Sequence, residues 1–160
     1  MCGVGFAGKS TLAKKIAEYT GATLVSQDAM YFEKEEELKL DPDSDEQWRM
    51  ILDMSQNRIR EELSKGNSVV FDDTSLQVSH RDELRNIAQE IGAETKVVFL
   101  DTPIEIQKER QAQNKITSER HDVEQHHLDK AIEDLQPPTA DEHVIVVKPG
   151  YDFSEIIPQL

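Results

Sequence analysis

The sequence predicts an α/β protein built around a parallel sheet. Short apolar runs alternate with longer segments whose apolar residues recur at helical spacing, and a glycine-rich run joins the first apolar run to the first helix. A chain of 160 residues is long enough to bury one hydrophobic core. We therefore expect a single domain over residues 1–160.

The glycine-rich run at residues 3–11 is the strongest functional signal in the chain. It reads Gly-Val-Gly-Phe-Ala-Gly-Lys-Ser-Thr and fits the pattern G-x-x-x-x-G-K-[ST]. In this pattern backbone N–H groups converge on phosphate oxygens, the lysine adds a positive charge, and the following hydroxyl ligates Mg²⁺. Ser10 is thus a predicted magnesium ligand. The predicted nucleotide-binding residues are Gly5, Phe6, Ala7, Gly8, Lys9, Ser10 and Thr11.

The same glycines also satisfy G-x-G-x-x-G, the fingerprint of dinucleotide-binding folds. Asp28 follows them at the spacing at which such a fold would bind a ribose. Lys9 and Ser10 favour a triphosphate site, because the dinucleotide fingerprint does not use a lysine and a hydroxyl directly after its third glycine. A turn that only connects a strand to a helix is the third interpretation.

The strand before this run is short. Only Met1 and Cys2 precede Gly3, so either the first strand is a stub or residues upstream of the sequence complete it. Cys2 is the one cysteine of the chain, and we expect it to face the core without forming an internal disulfide.

The first helix is predicted over residues 10–19 and ends at Gly21. A strand over residues 22–26 follows and brings Asp28 to the carboxyl end of a strand, where open parallel sheets bind ligands. Asp28 therefore has two interpretations: a general base in the site, or the N-cap of a helix over residues 29–38.

Residues 28–45 are strongly acidic. Their carboxylates indicate either a solvated helix end and loop or a surface that selects a cationic substrate. A long helix is predicted to follow, with Asp45 as its N-cap and Lys65 at its end. Trp48 and Met54 of this helix are expected in the core.

The next strand, over residues 68–71, ends in two acids. A carboxylate at the end of such a strand is where a phosphate-loop enzyme holds Mg²⁺ or its water shell. We predict Asp73 for this role, with Asp72 as the alternative. The interpretation without a metal is an acidic turn that caps the next element. A helix over residues 79–91 follows.

The fourth strand is predicted over residues 96–100, and Pro103 opens the next helix. Apolar periodicity then disappears between residues 111 and 122, in a polar segment bracketed by Arg110 and Arg120. A mobile segment that carries arginines is typical of a lid in phosphoryl-transfer enzymes, so we predict a lid at about 111–122.

The remaining chain is predicted to form a helix over residues 123–135, a fifth strand over 143–147, a turn at 148–150 and a short terminal helix over 151–160. The formal net charge of −14 argues against a nucleic acid partner, because the phosphate backbone would be repelled. The sequence contains no signal-like or long apolar run, so we expect a cytoplasmic protein with no membrane contact.

Five segments together carry a resemblance to a known family: residues 3–11, 25–28, 69–76 with Arg81 after them, 98–101 with Glu109 and Arg110, and 120–122. They resemble the P-loop kinase group labelled AAA-33, which includes 5′-hydroxyl polynucleotide kinases, zeta toxins and chloramphenicol phosphotransferases. The phosphate-binding run is specific for nucleotides, whereas the other segments indicate a kinase only in combination.

The resemblance implies a three-layer α/β/α kinase fold with a parallel five-stranded sheet of order 2-3-1-4-5. It implies ATP and Mg²⁺ as cofactors and transfer of the γ-phosphoryl group to a hydroxyl. By position, Asp28 matches the catalytic carboxylate, Asp73 the acid near the metal, and Arg110 and Arg120 the lid arginines. The adenine is expected between the Arg110 region and the turn that contains Pro149.

One segment departs from the polynucleotide kinases. These enzymes place an arginine shortly after the catalytic acid, whereas residues 29–32 here are Ala-Met-Tyr-Phe. We therefore expect a small-molecule acceptor with a hydroxyl group, which the sequence does not identify. The alternatives are an ATP-binding switch or ATPase that regulates a partner, and a polynucleotide 5′-hydroxyl kinase.

Overall fold

The computed structural model describes residues 1–118 and 123–160 and shows short parallel strands between helices. The helices are α1 (Lys9–Thr20), α2 (Gln27–Leu38), α3 (Asp45–Ser64), α4 (Val78–Ile91), α5 (Ile104–Thr117), α6 (Gln125–Asp134) and α7 (Phe153–Ile156). The strands are β1 (Thr23–Ser26), β2 (Val69–Asp72), β3 (Val97–Leu100) and β4 (Val144–Val147). Short 3₁₀ helices cover Ala140–Glu142 and Ile157–Gln159.

The chain divides into two compact units. The first unit comprises Met1–Lys9, Thr74–Asp82 and Thr95–Leu160, and the second comprises Ser10–Asp73 and Glu83–Glu94. Each unit contains one parallel strand pair and its own apolar clusters.

In the second unit β1 pairs in parallel with β2, from Thr23 opposite Val69 to Ser26 opposite Asp72. Parallel strands with a covered face need apolar side chains, and this pair buries Val25 and Phe71. These two pack with residues of α3 and α4, namely Leu52, Ile59 and Ile87. A second cluster between α2 and α3 contains Tyr31, Leu40 and Ile51, with Trp48 and Met54 packed against it as predicted.

In the first unit β3 pairs in parallel with β4. The expected first strand is a single parallel bridge between Cys2 and Phe99, in which Cys2 N–H donates to Val98 O at 2.8 Å and Leu100 N–H donates to Cys2 O at 2.9 Å. Counting this bridge as the first strand, the predicted neighbours 2-3, 1-4 and 4-5 are observed, and the complete order stays a prediction.

Two helix caps differ from the predicted ones. Ser26 caps α2 by accepting a hydrogen bond from Ala29 N–H at 3.3 Å, and Ser44 caps α3 by accepting one from Gln47 N–H at 3.3 Å. The prediction that Asp45 caps α3 was therefore wrong. Asp28 likewise is not the cap of α2 but lies in its first turn, where a negative charge is favourable beside the helix dipole.

Helix α5 continues to Thr117 and so extends into the predicted lid. Loss of apolar periodicity did not end the helix here, because polar side chains on it are buried with partners: Gln111 Nε2 donates to Val123 O at 2.7 Å. The helix ends at Thr117, and its C-cap residue Ser118 has a left-handed φ of 52°. The rest of the predicted lid, including Arg120, lies outside the described residues.

The C-terminal segment forms a short helix and a 3₁₀ turn where a single helix was predicted. Pro158 supplies the reason, since proline has no N–H group to continue the α-helical hydrogen bonds. Among the described helices, none is long and apolar enough to cross a membrane.

Candidate nucleotide and phosphoryl-transfer site

The predicted phosphate loop, residues 3–9, has a strained backbone. Gly3 and Gly8 have φ angles of 140° and 105°, and Phe6 has a φ of 61°. A phenylalanine in the left-handed region is strained and persists only where its surroundings hold it. Here the Phe6 side chain is buried with Val4 and Leu128 in the core of the first unit, so core packing holds the loop in this shape.

Two side chains from α5 and its N-terminal loop hold the carbonyl groups of the phosphate loop. Arg110 Nη1 donates to Phe6 O at 2.9 Å and to Ala7 O at 3.0 Å, and Thr102 Oγ1 donates to Ala7 O at 3.1 Å. In a trans peptide the N–H group points opposite to the carbonyl. The N–H of Gly8 therefore points away from Arg110, as a phosphate cradle made of backbone donors requires.

Lys9 closes this loop and begins α1. Lys9 is 9% exposed, and its Nζ donates to Val4 O at 3.0 Å. The first N–H groups of a helix have no partner within that helix, and its dipole favours an anion at this end. A buried ammonium, a helix N-terminus and the N–H group of Gly8 together fit a polyphosphate chain.

Glycine is required at position 8 for conformational rather than steric reasons. A Cβ atom there would lie 3.6 Å from Arg110 Nη1 and 3.6 Å from Leu100 Cδ2, which is ordinary contact distance. The φ of 105°, however, is one that residues with a side chain rarely adopt. Gly3 is tighter, with its Cβ position 3.2 Å from Leu100 O.

The sequence did not predict the role of Thr102 and suggested a different one for Arg110. Thr102 is buried, its hydroxyl donates to Ala7 O in the phosphate loop, and its own carbonyl accepts a hydrogen bond from Gln107 Nε2 at 2.6 Å. A threonine two residues after a buried strand was the available signal. Arg110 was predicted as a lid residue, and in the structure it supports the loop from α5.

The predicted acids lie at one edge of the second unit. Ser26 and Asp72 are opposite each other at the carboxyl ends of β1 and β2. Asp28 and Asp73 follow these two residues in the chain, so both acids belong to the same sheet edge. Asp28 is exposed, Asp73 is half-buried and Asp72 is buried. Carboxylates and the hydroxyl of Ser10 are hard oxygen donors of the kind that Mg²⁺ prefers.

Three further residues predicted to bind nucleotide are exposed or half-buried. Thr11 is exposed in the first turn of α1, and Gly5 is half-buried, with its Cβ position 3.5 Å from Leu128 Cδ1. Pro149 is exposed in the turn after β4, which runs parallel to β3 and therefore ends at the same edge of the first unit as Thr102.

The parallel strands and the glycine loop with its buried lysine define a P-loop nucleotide-binding fold. Residues 1–138 match the AAA-33 family model, which is described as an AAA domain, and the chain belongs to this family. A comparison with curated proteins found no match.

Solved structures of two kinases and of one further nucleotide complex share this fold. A gluconokinase from Sinorhizobium meliloti is 24% identical, with a TM-score of 0.68 and coverage of 99% of this chain and 85% of that one. The Mycobacterium tuberculosis APS kinase CysC, in complex with AMPPNP and APS, is 17% identical, with a TM-score of 0.69 and coverage of 99% and 93%. Chaetomium thermophilum Kti12, in complex with ADP-AlF3, is 14% identical, with a TM-score of 0.77 and coverage of 98% and 92%.

Proposed function

We propose that the protein is an ATP-dependent kinase that transfers the γ-phosphoryl group to a hydroxyl of a small-molecule acceptor. The observation that carries this proposal is the preformed phosphate loop, with Lys9 inside it and Thr102 and Arg110 holding its carbonyls. The family match and the nucleotide complexes among the similar structures support it. The proposed sheet has the five-strand order 2-3-1-4-5 in a three-layer α/β/α arrangement.

Each proposed site residue has a defined task. Lys9 and the loop N–H groups bind the β- and γ-phosphate oxygens. Ser10 and Asp73 would hold Mg²⁺, which would neutralise charge on these phosphates. Arg120, with a lid at about 111–122, is proposed to stabilise charge on the transferred group, and the adenine is proposed to lie near Pro149. Arg110 is proposed to shape the loop as well as to contact nucleotide.

Asp28 is the proposed general base. The acceptor oxygen attacks the γ-phosphorus, the bond from that phosphorus to the β–γ bridging oxygen breaks, and ADP leaves. Asp28 orients the acceptor hydroxyl and takes its proton as the new bond forms. Because Ser26 caps α2, the capping function that was the alternative explanation for Asp28 is already supplied.

Replacing Lys9 with alanine tests the nucleotide site. A hydrogen bond to a charged group contributes about 1.5–3 kcal/mol, so Lys9→Ala should weaken binding of an ATP analogue roughly 10- to 100-fold. Lys14→Ala is the matched control, since Lys14 is an exposed lysine of the same helix. Calorimetric titration with AMPPNP measures both, and equal affinity of the two variants would refute the phosphate-loop assignment.

An acceptor panel distinguishes a kinase from an ATPase switch. ATP turnover is measured alone and with neutral, anionic and cationic hydroxyl compounds, aminoglycosides among them, and with a 5′-hydroxyl oligonucleotide. A kinase forms a new phosphoester with one class, whereas turnover that yields only inorganic phosphate with every compound supports the ATPase alternative. The cationic compounds also test whether the acidic residues 28–45 select the acceptor.

A further inference from the structure

Three consecutive carbonyl groups after β2 are held by defined donors. Thr74 O accepts a hydrogen bond from Gly3 N–H at 3.0 Å. The guanidinium of Arg81 donates from Nη1 to Ser75 O at 2.9 Å and to Leu76 O at 3.0 Å. This segment is neither helix nor strand, so its carbonyls depend on these donors from elsewhere in the first unit.

Glu142 sets the orientation of Arg81. Arg81 Nε donates to Glu142 Oε2 at 2.7 Å and Nη2 donates to Oε1 at 3.0 Å, a bidentate pair in which both side chains are 2% exposed. Thr139 N–H also donates to Glu142 Oε1 at 3.1 Å. Burial of a charge requires a partner, and the planar guanidinium matches the carboxylate. All three guanidinium nitrogens therefore have fixed acceptors.

The backbone at this point is strained. Ser75 has a φ of 41°, in the left-handed region that residues other than glycine rarely adopt. Such strain persists where the surroundings over-determine the conformation, and it is concentrated at functional sites. Cys2 contributes a further hydrogen bond to this segment, because its Sγ donates to Ser75 O at 3.4 Å.

This strained segment is hydrogen-bonded to the phosphate loop and directly follows Asp73 in the chain. Gly3, which binds Thr74 O, is the first glycine of the phosphate loop, and Thr74 follows the proposed magnesium ligand Asp73 directly in the chain. We propose that Arg81, oriented by Glu142, is a positioning residue for phosphoryl transfer, because it holds the segment that is hydrogen-bonded to the phosphate loop at Gly3 and that directly follows Asp73 in the chain. This role rests on the proposed kinase function, and Arg81 itself is not proposed to touch nucleotide.

Arg81→Lys is the informative variant. Lysine keeps the positive charge but has a single ammonium, which does not reproduce the bidentate pair and the two carbonyl contacts at once. Since small misplacements in an active site cost up to about 100-fold, we expect kcat for ATP turnover to fall roughly 10- to 100-fold. AMPPNP affinity should change much less, because Lys9 is intact. Arg85→Lys makes the same change one turn further along α4 and should leave kcat unaltered.

Folding is monitored separately with Cys2. It is the one cysteine of the chain and is fully buried, so its reaction with a thiol reagent reports opening of the structure around Ser75 and Arg81. Kinetics are compared at temperatures at which Cys2 of each variant stays protected. If Arg81→Lys does not fold, Glu142→Gln replaces it, since glutamine keeps one oxygen acceptor and the shape of the side chain; an intermediate loss of kcat is then expected.

The outcomes separate this inference from the proposed function. Wild-type kcat in a folded Arg81→Lys or Glu142→Gln variant overturns the positioning role and leaves the kinase proposal standing. An equal loss of kcat in Arg85→Lys also overturns it. If the wild-type protein neither binds AMPPNP nor turns over ATP, the proposed function fails and the positioning role fails with it.

Discussion

Replacing Gly8 with alanine perturbs the phosphate loop through the backbone alone. The new Cβ atom would meet its neighbours at 3.6 Å, so no atom has to be displaced. The φ of 105° is nevertheless unfavourable for alanine, and holding a residue in such a conformation costs roughly 1–3 kcal/mol. For a protein of this size, that cost lowers the melting temperature by roughly 5 °C.

Where the loop keeps its shape, this strain lowers the stability of the protein. Where the loop relaxes instead, the Gly8 N–H turns away from the phosphate position, and restoring the shape on binding costs nucleotide affinity. Gly21→Ala is the control, because Gly21 has a φ of 71° and nothing within 4 Å of its Cβ position. It lies in the turn after α1 and carries a similar strain away from the loop.

Thermal unfolding and AMPPNP titration of both variants give a clear comparison. We expect both variants to lose stability and only Gly8→Ala to lose nucleotide affinity, by about tenfold or more, equivalent to about 1.4 kcal/mol. The reasoning is refuted if Gly8→Ala binds AMPPNP as tightly as wild type, or if Gly21→Ala loses as much affinity.

Three further predictions concern the second unit. Asp28→Asn should keep the stability and ATP affinity of wild type and lose roughly 10²–10⁴-fold in phosphoryl transfer; near wild-type transfer would exclude Asp28 as the base. Hydrogen bonds from Lys65 and then Asn67 lower the pKa of Glu62 from 4.5 to about 2. The stability that this carboxylate contributes is present above pH 4.5 and is lost as the pH falls towards 2. Glu62→Gln should therefore reduce the loss of unfolding free energy between pH 4.5 and 2, and an unchanged loss over that range would contradict the lowered pKa of Glu62. The Tyr31 hydroxyl is buried and has no hydrogen-bond partner within residues 1–118 and 123–160, so Tyr31→Phe should leave stability unchanged or raise it by up to about 1 kcal/mol; a clear loss in chemical denaturation would reveal an interaction of that hydroxyl.

Helices and strands were predictable to within a few residues wherever apolar periodicity was strong, because that pattern is a local property of the chain. Their ends were less predictable. Ser26 and Asp28 are both good capping residues, and β1 decides between them by continuing to Ser26, which leaves its side chain at the start of α2. The end of α5 was missed because buried polar residues such as Gln111 do not produce an apolar pattern.

The candidate site likewise contains one part that the local sequence predicts and another that only the fold reveals. The sequence by itself determined the phosphate loop, since its glycines, Lys9 and Ser10 are contiguous and their spacing is set by the backbone that surrounds a phosphate. Only the tertiary structure decided what holds that loop: Thr102 and Arg110 are 95 and 104 residues away from the carbonyls that they bind, and Arg81 is 61 residues from Glu142. Hydrogen bonds over such separations form only when particular helices and strands pack together, and that packing is not visible in any local sequence pattern.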